Sequence, residues 1–203
     1  REGFALPVVY NTGGYATVET VRALDGAVDI WLADVKYASP ALAARFSAAP
    51  DYSEVCLAAV RQMLRQTGAP VYGEAGYLRR GVILRHLVLP GHADDSIRVL
   101  EQMAALRAET GVAFLPSLMS QFTPFYHAAQ AGLGRRITSY EYRKVVDAAL
   151  RPEGKAGPLV RTLDSCRAYY EKGAKNWEFQ AMLKARPAAG DLALGEAFVE
   201  LIS

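Results

Sequence analysis

Four apolar runs, separated by segments of helical periodicity, dominate the first 150 residues. The runs that predict strands are Ala5–Tyr10, Val28–Ala33, Val82–Leu89 and Val112–Leu118. The first is continuous rather than alternating, which is typical of a strand buried on both faces. Strands that alternate with helices indicate βα units and a parallel sheet, with right-handed crossovers. The pattern therefore predicts an α/β fold.

Caps and apolar stripes predict the helices between these strands. Thr17 and Ser53 are placed to cap two of them, and Gly68 and Gly111 to end two. A further short helix is predicted over residues 40–46, and residues 70–81 are Gly-rich and predict an irregular loop.

The helix after Thr138 has the clearest pattern in the sequence. Thr138 and Glu141 have the spacing of a capping box. One apolar stripe follows them, formed by Tyr142, Val145, Val146, Ala149 and Leu150. This spacing predicts an amphipathic helix with one continuous apolar face.

The pattern changes after Leu150. Residues 151–158 have the composition of a linker, and the rest predicts about three short helices. The last apolar stripe is formed by Leu194, Ala197, Phe198 and Leu201. A complete eightfold barrel needs about 250 residues. We therefore predict a partial barrel or open sheet over residues 1–150, and a linker with a helical extension over 151–203.

The composition is that of an ordinary globular protein. Of the 203 residues, 51% are apolar and the net charge is only +2, which predicts neither disorder nor nucleic-acid binding. The two cysteines, Cys56 and Cys166, are too few for a disulfide scaffold. No apolar run has the length of a membrane span and no signal peptide is visible, so a cytoplasmic protein is predicted. The start at Arg1 rather than Met suggests a piece of a longer protein.

Polar residues follow each predicted strand. In parallel α/β folds the carboxyl ends of the strands form the rim where ligands bind. The residues expected at this rim are Asn11, Thr12, Gly13, Asp34, Lys36, Arg85 and Gln121. Asp34 and Lys36 lie two residues apart, so their side chains point the same way, roughly 7 Å apart. They are suited to ribose hydroxyls, a cation or a zwitterion, and the simpler interpretation is a salt bridge between them.

For the remaining glycine, histidine and cysteine candidates, the sequence allows a purely structural role as well as a functional one. The turn Asn11–Gly14 lets backbone amides approach a ligand, or is a plain βα turn. His86 is either a structural strand residue or a catalytic one. His92 and His127 are predicted at the surface, and Cys56 lies on an apolar stripe and is predicted in the core.

Five segments, taken in order, resemble the later half of radical SAM proteins of the pyruvate formate-lyase activating enzyme type. They are PVVYNTGGY (7–15), VDIWLADVKY (28–37), RGVILRHLVLPG (80–91), LPSLMSQFTP (115–124) and RRITSYEYRKVVDAAL (135–150). The resemblance implies about four parallel strands of a (βα)6 barrel that binds S-adenosylmethionine against a 4Fe-4S cluster. It also implies a glycyl radical enzyme as protein substrate and a flavodoxin- or ferredoxin-type electron donor.

The resemblance also implies roles for individual residues. The turn Asn11–Thr12–Gly13 matches the turn after the third barrel strand, and Asp34 and Lys36 match an Asp-x-Lys segment near the ribose and carboxylate of S-adenosylmethionine. Arg85 matches the fifth strand. Gln121 stands where well-studied activating enzymes have a histidine.

Two departures limit what the resemblance implies for this chain. The family's CxxxCxxC loop and the glycine-rich segment that follows it are absent, and the residues after Leu150 do not match the family's ending. The chain alone is therefore not expected to cleave S-adenosylmethionine. Two alternatives stay open: a Schiff-base lyase that uses Lys36, and a non-catalytic interaction module whose bare sheet edge favours dimerisation.

Overall fold

The protein folds around one largely parallel β-sheet. The computed structural model describes residues 6–74, 77–150 and 199–200. The strands are β1 (Val9–Thr12), β2 (Ile30–Asp34), β3 (Val71–Tyr72), β4 (Leu78–Leu87), β5 (Leu115–Met119) and β6 (Val199–Glu200). Strands β1, β2, β4, β5 and β6 lie side by side in that order, and each neighbouring pair is parallel. The prediction of an α/β fold with a parallel sheet is thus confirmed.

Within the described residues, five helices connect or follow the strands. They are α1 (Val18–Ala23), α2 (Pro40–Ser47), α3 (Tyr52–Thr67), α4 (Ala93–Thr110) and α5 (Ser139–Leu150). The Thr17 hydroxyl caps α1 by accepting from the Thr20 amide, and Gly68 and Gly111 end α3 and α4 as predicted. The predicted cap Ser53 is wrong: α3 begins at Tyr52 with Asp51 at the N-cap position, and the Ser53 hydroxyl donates to the Gln102 side chain instead.

Helix α5 is fixed to the sheet by its N-terminal turn. The capping box forms, because the Glu141 carboxylate accepts from the Thr138 amide at 2.9 Å and the Glu141 amide donates to the Thr138 hydroxyl at 3.2 Å. The same carboxylate accepts from the Gly91 amide and pairs with Arg135, which together hold the pKa of Glu141 well below its usual range. The Tyr142 hydroxyl donates to the Leu118 carbonyl, so the helix contacts β5 directly.

The two faces of the sheet have different environments. Side chains alternate between the two faces along each strand, and Trp31, Leu84 and Leu118 share one face, where they are fully buried in the hydrophobic core. The register pairs Asp34 with Arg85 on neighbouring strands, so these two charged residues share the opposite face. The core therefore leaves one face free for polar side chains at the carboxyl ends of the strands.

The prediction that the first strand is buried is wrong. Val9 is 53% exposed and Tyr10 is 41% exposed, because β1 is an edge strand with β2 as its one neighbour in the described sheet. The strand also extends to Thr12, so Asn11 lies in the strand rather than in a turn. Continuous apolar sequence does not distinguish an edge strand from a central one.

The predicted irregular loop at residues 70–81 is a hairpin instead. Val71–Tyr72 form β3, which pairs antiparallel with the start of β4. The Gly73 amide closes the turn by donating to the Tyr77 carbonyl at 2.9 Å. A strand of two residues is too short to give an alternating pattern, which is why the glycine content dominated the prediction.

Most of the predicted C-terminal extension, including Cys166 and the 151–158 linker, lies outside the described residues. Val199 and Glu200 are described, and they pair in parallel with β5. The apolar stripe that predicts a helix there is therefore wrong for these two residues. Among the described helices, none combines the length and the apolar character needed to cross a bilayer.

Candidate functional site

A cavity of about 640 Å³ opens at the carboxyl ends of β2, β4 and β5. This volume is in the range of sites for small organic ligands, about 300–1,000 Å³. Asp34, Lys36, Arg85 and Gln121, which the sequence predicts at this rim, all line the cavity.

Three of the predicted residues form one hydrogen-bonded network across three strands. Arg85 Nη2 lies 2.7 Å from Asp34 Oδ1, and Nε of the same guanidinium donates to that oxygen at 2.9 Å. Arg85 Nη2 also donates to Asn11 Oδ1 at 2.8 Å. The convergence follows from the parallel register, which sets β1, β2 and β4 side by side.

Lys36 is placed beside the glycine turn that follows β1. A Cβ atom added to Gly13 would lie 3.5 Å from Lys36 Nζ, so the missing side chain leaves room for the ammonium. Thr12 Oγ1 accepts from the Gly14 amide at 3.2 Å and thus stabilises the turn. The interpretation of Asp34 and Lys36 as a salt bridge is wrong, because Asp34 pairs with Arg85 and Lys36 has no carboxylate partner within the described residues.

Sequence reasoning missed part of the cavity wall. Arg45 and Phe46 reach it from α2, with the Arg45 guanidinium carbon 5.4 Å from the Phe46 ring centroid. A segment after β5 supplies Phe122 and Leu133, and also His127, which was predicted only as a surface residue. No sequence signal distinguishes these residues from ordinary surface and loop positions, because a helix and a loop bring them to the rim.

His86 lies away from the cavity. It alternates onto the helix-facing side of β4, where it is buried, and its Nδ1 lies 2.7 Å from the Val35 carbonyl oxygen. Burial lowers the pKa of the imidazole, which keeps the ring neutral. These observations support the structural interpretation of His86.

Cys56 is a core residue, as predicted. It is fully buried, and its thiol donates to the Asp34 carbonyl at 3.4 Å. Burial raises the pKa of the thiol to about 12, so the nucleophilic thiolate is scarce at neutral pH.

The sheet and its cavity place the protein in the class of α/β proteins with a ligand site at the strand ends. A parallel α/β sheet with a cavity at its strand ends is the usual architecture of small-ligand sites in such folds. Three cations, Lys36, Arg45 and Arg85, and one carboxylate, Asp34, line this cavity. That excess of positive charge is typical of sites for anionic ligands.

Comparison with known proteins finds similarity in the C-terminal part of the chain. A model of the GlnE family, glutamate-ammonia ligase adenylyltransferase, matches residues 137–201. The bifunctional glutamine synthetase adenylyltransferase/adenylyl-removing enzyme of Cutibacterium acnes is 79% identical over 58 residues, which are 29% of this chain and 6% of that enzyme. The enzyme of the same name from Mycolicibacterium smegmatis is 70% identical over 57 residues, which are 28% of this chain and 6% of that enzyme. No solved structure matches the chain.

These matches correct the resemblance to radical SAM activating enzymes. The similar proteins are adenylyltransferases, so S-adenosylmethionine, the 4Fe-4S cluster, the glycyl radical substrate and the flavodoxin- or ferredoxin-type donor are wrong expectations. The cysteine chemistry also argues against a 4Fe-4S cluster on the described residues. Cysteine thiolates hold such clusters, and the one described cysteine, Cys56, is buried in the core.

Proposed function

We propose that the strand-end cavity binds a small organic phosphate. The observation that supports this proposal is the pair of cations, Lys36 and Arg45, which line the cavity and have no carboxylate partner among the described residues. Arg85 adds a third cation, and Asp34 neutralises one of the three. A phosphate monoester, with nearly two negative charges at neutral pH, matches the remaining charge.

The rest of the cavity wall favours a ligand with a flat or apolar body. This wall includes Tyr37, Phe46, Leu87, Leu89, Met119 and Leu133. Aromatic and aliphatic walls of this kind hold the body of a ligand, while a few polar groups fix its orientation. Adenosine monophosphate combines a phosphate monoester with a flat base, so it is the first ligand to test.

Each predicted site residue has a role in this proposal. Asn11 and Asp34 hold the Arg85 guanidinium in a fixed orientation. Thr12 and Gly13 shape the turn beside the Lys36 ammonium. Gln121 contributes a side-chain amide at the wall of the cavity.

Calorimetric titration with adenosine monophosphate and with adenosine tests the proposal. We expect the nucleotide to bind at least about 20-fold more tightly than the nucleoside, because hydrogen bonds to charged groups are the stronger ones. The K36A/R45A variant should lose most of this preference. A matched variant, R61A/K144A, removes two cations outside the cavity wall and should keep it. Equal binding of nucleotide and nucleoside, or no binding of either, would contradict the proposal.

A second function rests on the identity with the adenylyltransferases. We propose that residues 137–201 have in this protein the role that the similar segment has in those enzymes, so that this protein acts on glutamine synthetase. Identity of 79% over 58 residues supports this more strongly than any short motif.

A graft tests this second proposal. Residues 137–201 would replace the similar segment of the Cutibacterium acnes enzyme, and adenylylation and removal of adenylyl groups would be assayed on glutamine synthetase. We expect both activities within about threefold of the parent, because 79% of the aligned residues are identical and most contacts of the segment are therefore unchanged. A graft of the same composition in scrambled order should lose both. A correctly folded graft without either activity would refute the equivalence.

We also propose the finer architecture of the α/β part. The parallel strands follow chain order without reversal, and right-handed crossovers place their helices on one face. The face with Asp34 and Arg85 then turns inward, as in a partial (βα) barrel. The division at Leu150 and the cytoplasmic location stay predictions.

A further inference from the structure

Tyr52, at the first position of α3, contacts the glycine turn after β1 and the end of β2. Its side chain is buried, and its hydroxyl oxygen lies 2.8 Å from the Gly13 carbonyl oxygen and 2.9 Å from the Asp34 carbonyl oxygen. The same oxygen accepts from the Lys36 amide at 3.2 Å. One hydroxyl therefore joins the end of β1, the end of β2 and the residue that presents the unpaired ammonium.

These contacts set the distance between the glycine turn and Lys36. The Lys36 ammonium lies against Gly13, whose carbonyl is held by Tyr52, and the Lys36 backbone is held by the same hydroxyl. Burial raises the pKa of Tyr52, so the hydroxyl keeps the proton that it shares between the two carbonyls. The Tyr52 ring also packs edge-on against Tyr37, a residue of the cavity wall, with centroids 5.4 Å apart.

We propose that Tyr52 is a positioning residue for anion binding, which acts through Lys36. Tyr52 does not line the cavity, so its effect on a ligand passes through the residues that it holds. Because Lys36 is the phosphate-binding residue of the proposed function, this inference rests on that proposal.

The test is a double-mutant cycle between Tyr52 and Lys36, measured by titration with adenosine monophosphate. The Y52F variant keeps the ring and removes the hydroxyl, and we expect its affinity to fall about 10-fold. In the K36A background the same change should weaken binding less than about twofold, because the residue through which Tyr52 acts is gone. A merely structural role would give the same loss in both backgrounds.

A matched variant controls for the general effect of removing a buried hydroxyl. The Y142F variant also removes a hydroxyl that donates to a backbone carbonyl, that of Leu118, outside the cavity wall. We expect both Phe variants to lose stability, but only Y52F to lose affinity. Equal affinity losses in the two variants would overturn the inference.

A measurement without ligand separates this inference from the proposed function. The rate at which an amine reagent labels Lys36 should rise at least about threefold in Y52F, because the side chain is no longer held against the turn, while labelling of Lys144 should not change. If adenosine monophosphate fails to bind the unmodified protein, the proposed function is wrong and the labelling rates still decide the role of Tyr52. An unchanged Lys36 rate would show that Tyr52 does not position this side chain.

Discussion

Replacing Gly14 with alanine is expected to lower the free energy of unfolding by about 3–5 kcal/mol, which is a large part of the stability of a typical domain. Gly14 has a φ of +78°, and a Cβ added to it would overlap the Asp34 carbonyl oxygen and lie 2.8 Å from Cys56 Sγ. The carbonyl cannot move away easily, because it belongs to the end of β2 and accepts from both Tyr52 and Cys56. Urea denaturation followed by circular dichroism measures this loss.

Gly26→Ala is the matched control for this prediction. Gly26 has a nearly equal φ of +71°, but a Cβ added there would meet no atom within 4 Å. Its replacement should cost only the backbone strain of a left-handed alanine, about 1–2 kcal/mol. If the two variants unfold at the same urea concentration, the contact with the Asp34 carbonyl is not what requires glycine at position 14.

The architecture of the sheet and the convergence of its polar residues were predictable from the sequence. Parallel strands in chain order bring their carboxyl ends together, which is why Asn11, Asp34 and Arg85 meet although they are far apart in the chain. The capping box at Thr138 was equally predictable, because its hydrogen bonds depend only on spacing within one helix turn. These features depend on local periodicity and on one rule of topology.

The remaining features of the site depend on packing that no local pattern describes. Arg45 reaches the cavity because α2 packs beside the strand ends, and His127 because a long segment after β5 folds over them. The exposure of Val9 depends on which strands flank β1, and not on its own apolar character. Tyr52 illustrates the same limit, since its sequence position indicates only the start of a helix.

The mistaken resemblance has a physical explanation as well. The five segments that suggested it mostly consist of strand ends, glycine turns and helix caps, which recur wherever parallel βα units bind ligands at their rim. Such features indicate architecture more than ancestry. The similarity to adenylyltransferases rests instead on 79% identity over 58 residues, most of which do not belong to any recurring motif of a fold, and this is why it overturns the resemblance.

The R85L variant is expected to lower the free energy of unfolding by about 2–3 kcal/mol. The Arg85 and Asp34 side chains are 21% and 22% exposed, so the ion pair lies between a surface pair, worth about 0–1 kcal/mol, and a buried one, whose rupture costs about 3–5 kcal/mol. Leucine keeps part of the apolar stem of arginine but leaves the Asp34 carboxylate without its partner. Asn11 loses its guanidinium donor at the same time, so two strand ends are destabilised by one change.

Two further variants separate the ion pair from the general loss of an arginine. The D34N/R85L variant has no unpaired carboxylate at position 34. Its free energy of unfolding should therefore be higher than that of R85L by about 1 kcal/mol or more. R61L breaks the pair between Arg61 and Glu109, whose side chains are 31% and 52% exposed, and should cost less than about 1 kcal/mol. If R85L is no more destabilising than R61L, the strand-end network does not hold β1, β2 and β4 together. The orientation of Arg85 towards an anion would then lack its structural basis, because the same contacts that stabilise the sheet fix the guanidinium at the cavity.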